Sequence, residues 1–172
     1  MVFTHHCQSP LGGITMAADG EALTGLWFDG QKFFGSTLSA ESAERFLPVF
    51  AETERWLDLY FSGRIPDFTP MLNLKATEFR NAVWKILLTV PYGRTISYGR
   101  IAEILSLQAS SARVSARAVG GAVAHNPVSL IIPCHRVVGS DGGLTGYAGG
   151  IARKKALLEM EQEGFLRNPA LR

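Results

Sequence analysis

Apolar and polar positions alternate in short runs near the start of the chain, from Phe3 to Gln8, Ile14 to Ala18 and Leu23 to Phe28. Each run ends in a turn signal: Ser9-Pro10-Leu11-Gly12-Gly13, Asp19-Gly20 and Asp29-Gly30. A period of two between such turns belongs to strands whose successive side chains face opposite sides, so the segment predicts a small antiparallel meander. Ser39 to Phe50 reads as a helix broken near Pro48. Glu52 to Phe61 reads as another, with Trp56, Leu59 and Tyr60 on one face before Ser62-Gly63-Arg64 stops it. The spacing of Pro66 and Pro70 makes Ile65 to Asn73 an extended linker.

Beyond residue 75 the apolar period becomes helical. Thr77 caps a helix through Leu88 with Phe79, Val83, Ile86 and Leu87 as its stripe, and Pro91-Tyr92-Gly93 closes it. Ser97 caps a second helix, Tyr98 to Leu105, and a third runs from Ser115 to Ala124 before the Asn126-Pro127 stop. Two short helices joined by a turn make a helix-turn-helix reading reasonable. A strand is expected from Leu130 to Ile132, a turn at Asp141-Gly142-Gly143 and a final helix from Ala152 to Glu163. The expected architecture is an α/β domain over residues 1–75, a small antiparallel sheet plus helix, followed by a mostly helical domain over 76–172.

Composition narrows the class. A chain of 172 residues with 47% hydrophobic and 19% charged positions is that of a globular protein. Its apolar runs fall short of a membrane span and its first residues lack the basic region of a secretory signal, so a cytoplasmic location is expected. There Cys7 and Cys134 are both read as free thiols. His5, His6 and Cys7 are adjacent on an extended segment, which points them to alternate faces, and no metal is expected there. Charge is divided unevenly: residues 1–78 hold five Lys/Arg against ten Asp/Glu, and residues 79–172 hold twelve against five. The second half therefore suits an anionic partner such as a phosphate backbone, with a solvated basic face as the plainer alternative.

The densest chemistry lies in Ile132-Pro133-Cys134-His135-Arg136-Val137. A thiol beside an imidazole and an arginine has surroundings that favour thiolate, although free cysteine is also among the most buried residue types. Upstream, Arg117-Ala118-Val119-Gly120-Gly121-Ala122-Val123-Ala124 places two glycines in a helix. Each costs about 1 kcal/mol relative to alanine, so they serve either close packing or entry of a slim helix face into a narrow groove.

From Phe79 to Gly164 the order of Arg-Ala-Val-Gly, Asn-Pro, Pro-Cys-His-Arg-Val and Gly-Tyr-x-Gly-Gly blocks resembles the active-site domain of the O6-alkylguanine-DNA alkyltransferases, single-turnover repair proteins that take an alkyl group onto their own cysteine. The resemblance implies that the third helix enters the DNA minor groove through Ala118, Gly121 and Ala122, with Arg117 filling the gap left by a flipped nucleotide and Arg113 on a phosphate. It implies Cys134 as acceptor, His135 as the base that draws its proton through a water, and Glu161, found by gapless counting from Cys134 between Glu159 and Glu163, as the carboxylate holding the histidine. Tyr98 would protonate the departing guanine at N3. Asn126 would order the cysteine turn, and Tyr147, Ala148 and Gly149 would line the base pocket. No cofactor is implied.

The expected partner is duplex DNA carrying O6-alkylguanine, with O4-alkylthymine as a secondary substrate, bound by a monomer whose cooperativity on DNA stays open. The alternative is an alkyltransferase-like protein that binds the lesion without transfer, which Cys134 argues against. Ser106 to Ala116 is longer than the family's turn between these helices. It would run along a phosphate backbone or form a solvated loop.

Overall fold

The computed structural model describes residues 1–108 and 113–171, in two compact units: Met1–Lys75 with Pro127–Ser129, and Ala76–Asn126 with Leu130–Arg172.

In the first unit, β1 (Phe3–Ser9), β2 (Gly12–Ala18) and β3 (Leu23–Phe28) form the expected antiparallel meander. A fourth strand, β4 (Ala43–Glu44), adds to the free edge of β1 in parallel, so the sheet is mixed, in the order β3-β2-β1-β4. Residues 39–50 are thus not a broken helix. Pro48 is instead the first residue of α1 (Pro48–Phe61), where its missing N–H has no intrahelical acceptor to satisfy and its φ already suits a helix.

Helix α1 buries Phe50, Trp56, Leu57 and Tyr60. It meets β1 through His5, whose Nε2 lies 2.9 Å from Glu54 Oε1 and whose ring packs on Phe46 and Phe50. His6 is bonded to Asp29 at 2.8 Å. The outer edge of β3 is satisfied by two passing segments. Leu23 N–H donates to the Met71 carbonyl, while Leu26 N–H donates to Pro127 and the Leu26 carbonyl accepts from Ser129. All six residues of β3 are consequently buried.

The second unit is mostly helical. Thr77 caps α2 (Glu78–Leu87) by accepting from Arg80 N–H at 3.3 Å. Its buried stripe is Val83, Trp84 and Leu87, and the Trp84 indole donates to the Ala122 carbonyl at 2.9 Å. Ser97 caps α3 (Tyr98–Gln108), and Ser115 caps α4 (Ala116–Ala124) by accepting from Ala118 N–H at 3.1 Å. These two helices pack together in a manner consistent with a helix-turn-helix.

Helix α3 absorbs Ser106 to Gln108 of the segment expected between them, and Val114 N–H donates to Ser106 Oγ at 2.9 Å. Residues 109–112 of that segment lie outside the described residues. Ile96–Ser97 (β5) pairs in parallel with Val137–Val138 (β6). The last helix, α5 (Ile151–Arg167), continues through Gly164, where a Cβ would sit 2.6 Å from the Tyr92 hydroxyl. Among the described residues no helix is long and apolar enough to cross a membrane.

Candidate active site

Leu130 to Ile132 is not the strand its apolar run suggests. The backbone turns there, with Leu130 at φ 70, and all three side chains are buried. The pairing to a neighbouring strand occurs earlier, at Val128 against Leu26. The turn leads into a short 3₁₀ helix, Cys134–Arg136, in which Cys134 N–H donates to the Ile132 carbonyl at 2.8 Å. Asn126 braces this turn: its side-chain amide donates to the same carbonyl at 2.8 Å.

Cys134 is 3% exposed and His135 is fully buried. His135 Nε2 lies 2.6 Å from Glu161 Oε1. Of the three candidate carboxylates on α5, Glu161 alone is buried, while Glu159 and Glu163 stand in solvent beside Lys155 and Arg167. Burial would raise the Glu161 pKa, but the proximity of His135 and Arg136 and the hydrogen bonds that both donate outweigh it and bring the carboxyl down to about 2. An ionised carboxylate only accepts, so the proton shared with His135 belongs to Nε2–H, and Nδ1 is the basic nitrogen.

Arg136, legible in the sequence only as a neighbour of the thiol, and Lys154, which carries no sequence signal, join this network. Arg136 grips both Glu161 oxygens through Nε, at 2.9 and 3.2 Å, and donates from Nη1 to the Val90 carbonyl at 2.7 Å. Gly93 N–H donates to Glu161 Oε2 at 3.2 Å. Lys154, fully buried on α5, donates to the carbonyls of Val137, Thr145 and Gly146. An arginine beside the Cys-His pair was visible; that both cations turn inward was not.

Burial pushes the Cys134 thiol up to about 11, against the opposing influence of the Asn126 side chain and the Lys154 charge. Burial also lowers the His135 pKa despite the Glu161 carboxylate. The resting pair is therefore a neutral thiol and a neutral imidazole. The thiolate-favouring surroundings expected from sequence neighbours are overridden by desolvation.

Tyr98 opens α3, and its hydroxyl donates to the Thr145 carbonyl at 2.9 Å. Burial raises its pKa, and Cys134 adds to the rise. Tyr147 has its hydroxyl buried, with a pKa raised well above the ordinary phenol value by burial first and by Cys134 next. A Cβ on Gly149 would come within 2.5 Å of the Tyr147 ring, so glycine is required for the loop to fold back on it. Ala148 is half-buried in the same loop.

The helix α4 residues divide. Arg117, Ala118 and Gly121 are exposed on one side, as is Arg113 ahead of the helix. Ala122 is not with them: it is 3% exposed and packs inward with Val119 and Val123. Five residues beyond Arg117 is nearly one and a half turns, which carries Ala122 to the core face. The structure thus gathers Cys134, His135, Glu161, Tyr98, Asn126 and Tyr147 around one buried network and leaves Arg113 and Arg117 on the surface.

The order of these parts along the chain matches two family models. Residues 2–76 match that of the 6-O-methylguanine DNA methyltransferase ribonuclease-like domain, and residues 78–163 match that of its DNA binding domain. The chain belongs to the 6-O-methylguanine DNA methyltransferase family. A methylated-DNA--protein-cysteine methyltransferase of Mycobacterium tuberculosis is 42% identical over 165 residues, covering 94% of this chain and 93% of the relative. One from Methanosarcina acetivorans is 41% identical over 155 residues, covering 90% and 94%. Among solved structures, Mycobacterium tuberculosis OGT in complex with DNA superposes with a TM-score of 0.82 at 42% identity, covering 95% of this chain and 93% of that one. The Methanococcus jannaschii methyltransferase of the same family superposes with a TM-score of 0.63 at 30% identity, covering 92% and 93%.

Proposed function

We propose that this protein repairs O6-alkylguanine in duplex DNA by moving the alkyl group irreversibly onto Cys134. The observation that carries the reading is a buried thiol followed by an imidazole whose tautomer is set by an ionised carboxylate at 2.6 Å. The exposed face of α4 enters the minor groove, and Arg117 stacks in place of the extruded base, offsetting part of the few kcal/mol that flipping costs, roughly, in lost stacking and pairing.

With the base in the pocket beside Tyr147, Ala148 and Gly149, the Cys134 proton passes to His135 and the sulfur attacks the alkyl carbon. The S–C bond forms as the C–O6 bond breaks. The electron pair goes to guanine, which takes a proton at N3 from the Tyr98 hydroxyl; the phenolate left behind takes a proton back from solvent, and the imidazolium gives one up, so the net transfer is the thiol proton to guanine. Glu161 stabilises the imidazolium that results. The thioether product has no ionisable thiol, so each molecule acts once, and no cofactor takes part. O4-alkylthymine is a secondary substrate on the same chemistry. The protein acts as a monomer in the reducing compartment that holds the DNA, with residues 1–75 and 76–172 as its two domains.

The test is nucleoside analysis of an O6-methylguanine duplex after mixing with sub-stoichiometric protein. Guanine restored in an amount equal to the protein supports the reading, whereas a shifted but chemically unchanged duplex would make this a lesion-binding protein instead.

A further inference from the structure

Ser129 is the polar break in the apolar run from Val128 to Ile132, and the chemistry above gives it no task. It is 1% exposed. With Pro127 and Val128 it belongs to the first unit, although the chain on either side belongs to the second. These three residues run along the outer edge of β3, where Val128 pairs in parallel with Leu26. The chain then turns back and reaches Cys134.

The Ser129 hydroxyl donates at 3.3 Å to Oε1 of Gln31, 98 residues earlier in the chain. The same oxygen accepts from Phe28 N–H at 2.8 Å, and Gln31 Nε2 donates to the Lys32 carbonyl at 3.3 Å. Glutamine is mostly exposed in folded proteins, and a buried amide is tolerated when its polar atoms are bonded. Gln31 is 7% exposed. Its bond to Phe28 already closes the turn after β3, so the bond to Ser129 is additional to what that turn requires.

Backbone strain brackets this bond. Phe33 and Leu130, at φ 58 and 70, are the non-glycine residues in the left-handed region among those described. Phe33 follows Gln31 by two residues and Leu130 follows Ser129 directly. A bulky side chain keeps such a conformation where its neighbours over-determine it. For Leu130 these are the bonds of Ser129 before the turn and the Ile132 carbonyl after it, which accepts from both the Asn126 amide and Cys134 N–H. Releasing Ser129 frees the near end of the turn, so Leu130 relaxes toward an ordinary φ and Cys134 moves with it.

Resting on the alkyl-transfer reading, we propose that Gln31 is a positioning residue for Cys134: through the Ser129 hydroxyl it fixes the start of the turn that presents the thiol.

The test is a double-mutant cycle of Gln31→Met, which keeps the length but loses the acceptor, Ser129→Ala, and the two combined. Single-turnover methylation is followed at saturating O6-methylguanine duplex, where the amplitude counts folded molecules and the rate constant describes them. Each single variant should react roughly ten- to a hundredfold slower at unchanged duplex affinity, the loss that a shift of about 1 Å brings to a reacting group. The double variant should be no slower than Gln31→Met alone, because both substitutions remove the same interaction. A single variant as fast as wild type, or losses that multiply in the double, overturns the proposal. Ser129→Ala deletes one oxygen, and its rate constant decides the matter where Gln31→Met does not fold.

Amide hydrogen exchange needs no repair activity. Ser129→Ala should speed exchange of Cys134 N–H, which donates to Ile132, and leave the amides of Val83 and Leu87 in α2 at wild-type rates. A loss of stability throughout would speed all of them alike. Cys134 exchange that is unchanged, or faster only in step with α2, overturns the proposal. A wild-type protein that takes up no methyl group refutes the alkyl-transfer reading instead, and the exchange comparison still decides whether Gln31 and Ser129 hold the cysteine turn.

Discussion

His135 Nε2 and Glu161 Oε1 lie 2.6 Å apart with both side chains at zero exposure, although 26 residues separate them in the chain. Arg136 closes on the same carboxylate from the other side. Glu161→Gln replaces one of the two acceptor oxygens shared by His135 and Arg136 with a donor amide and leaves a buried guanidinium without its anion, which costs about 3–5 kcal/mol. The variant should melt well below wild type and transfer methyl groups far more slowly. Glu159→Gln, on the exposed face, should change neither by more than about 0.5 kcal/mol. Thermal denaturation of the two variants decides the register, and a larger loss in Glu159→Gln would contradict it.

Cys134→Ala should abolish methyl uptake while duplex affinity stays near that of wild type, because the thiol forms the new bond but contributes little contact surface. Cys7→Ser should leave uptake unchanged, since burial and the nearby carboxylates Glu54 and Asp58 push that thiol up to about 11 and away from reactivity. Uptake halved by Cys7→Ser would make Cys7 a second acceptor.

Arg117→Ala should slow repair of O6-methylguanine in a duplex far more than reaction with free O6-benzylguanine, because only the duplex substrate has to be flipped. Single-turnover rates on both substrates are the check. Equal losses would place Arg117 in the fold or the chemistry rather than in the extrusion of the base.

Much of this was legible in the sequence, and the failures share physical causes. Helices α2, α3 and α4 carry their caps in Thr77, Ser97 and Ser115, local signals that a linear reading detects. Pro48 was misread because proline breaks a helix interior but starts a helix equally well. Strand β4 is two exposed residues with no period to detect, and it exists because β1 has an open edge. Leu130–Ile132 looked like a strand since full burial, by whatever backbone, produces an apolar run. Arg136 is legible as a neighbour of the thiol but its inward turn is not, and Lys154 carries no signal, because charged residues are ordinarily placed outside and only the fold reveals carbonyls and a carboxylate waiting for them. The misassignment of Ala122 came from treating a helix segment as one surface, when five residues reach the opposite side.

Protonation of the resting site makes a prediction about pH. The His135 pKa is lowered from 6.5, so the base that receives the thiol proton persists as pH falls through that value. The rate of methyl transfer at saturating duplex should therefore hold as pH drops past 6.5 and decline only below it. Without DNA, alkylation of Cys134 by iodoacetamide in Cys7→Ser protein should keep rising with pH beyond the ordinary thiol range, since burial raises that thiol to about 11. A repair rate lost around pH 6.5 or above, or a thiol that titrates at the ordinary value, would contradict the burial-dominated electrostatics described here.

The most direct measurement is intact mass spectrometry of the protein after incubation with excess O6-methylguanine duplex, followed by peptide mapping. One methyl group in place of one hydrogen, located on Cys134 and never exceeding one per molecule however long the incubation, is the predicted result. An unmodified protein, a methyl group on Cys7, or continued turnover with the thiol still free would contradict irreversible transfer to Cys134.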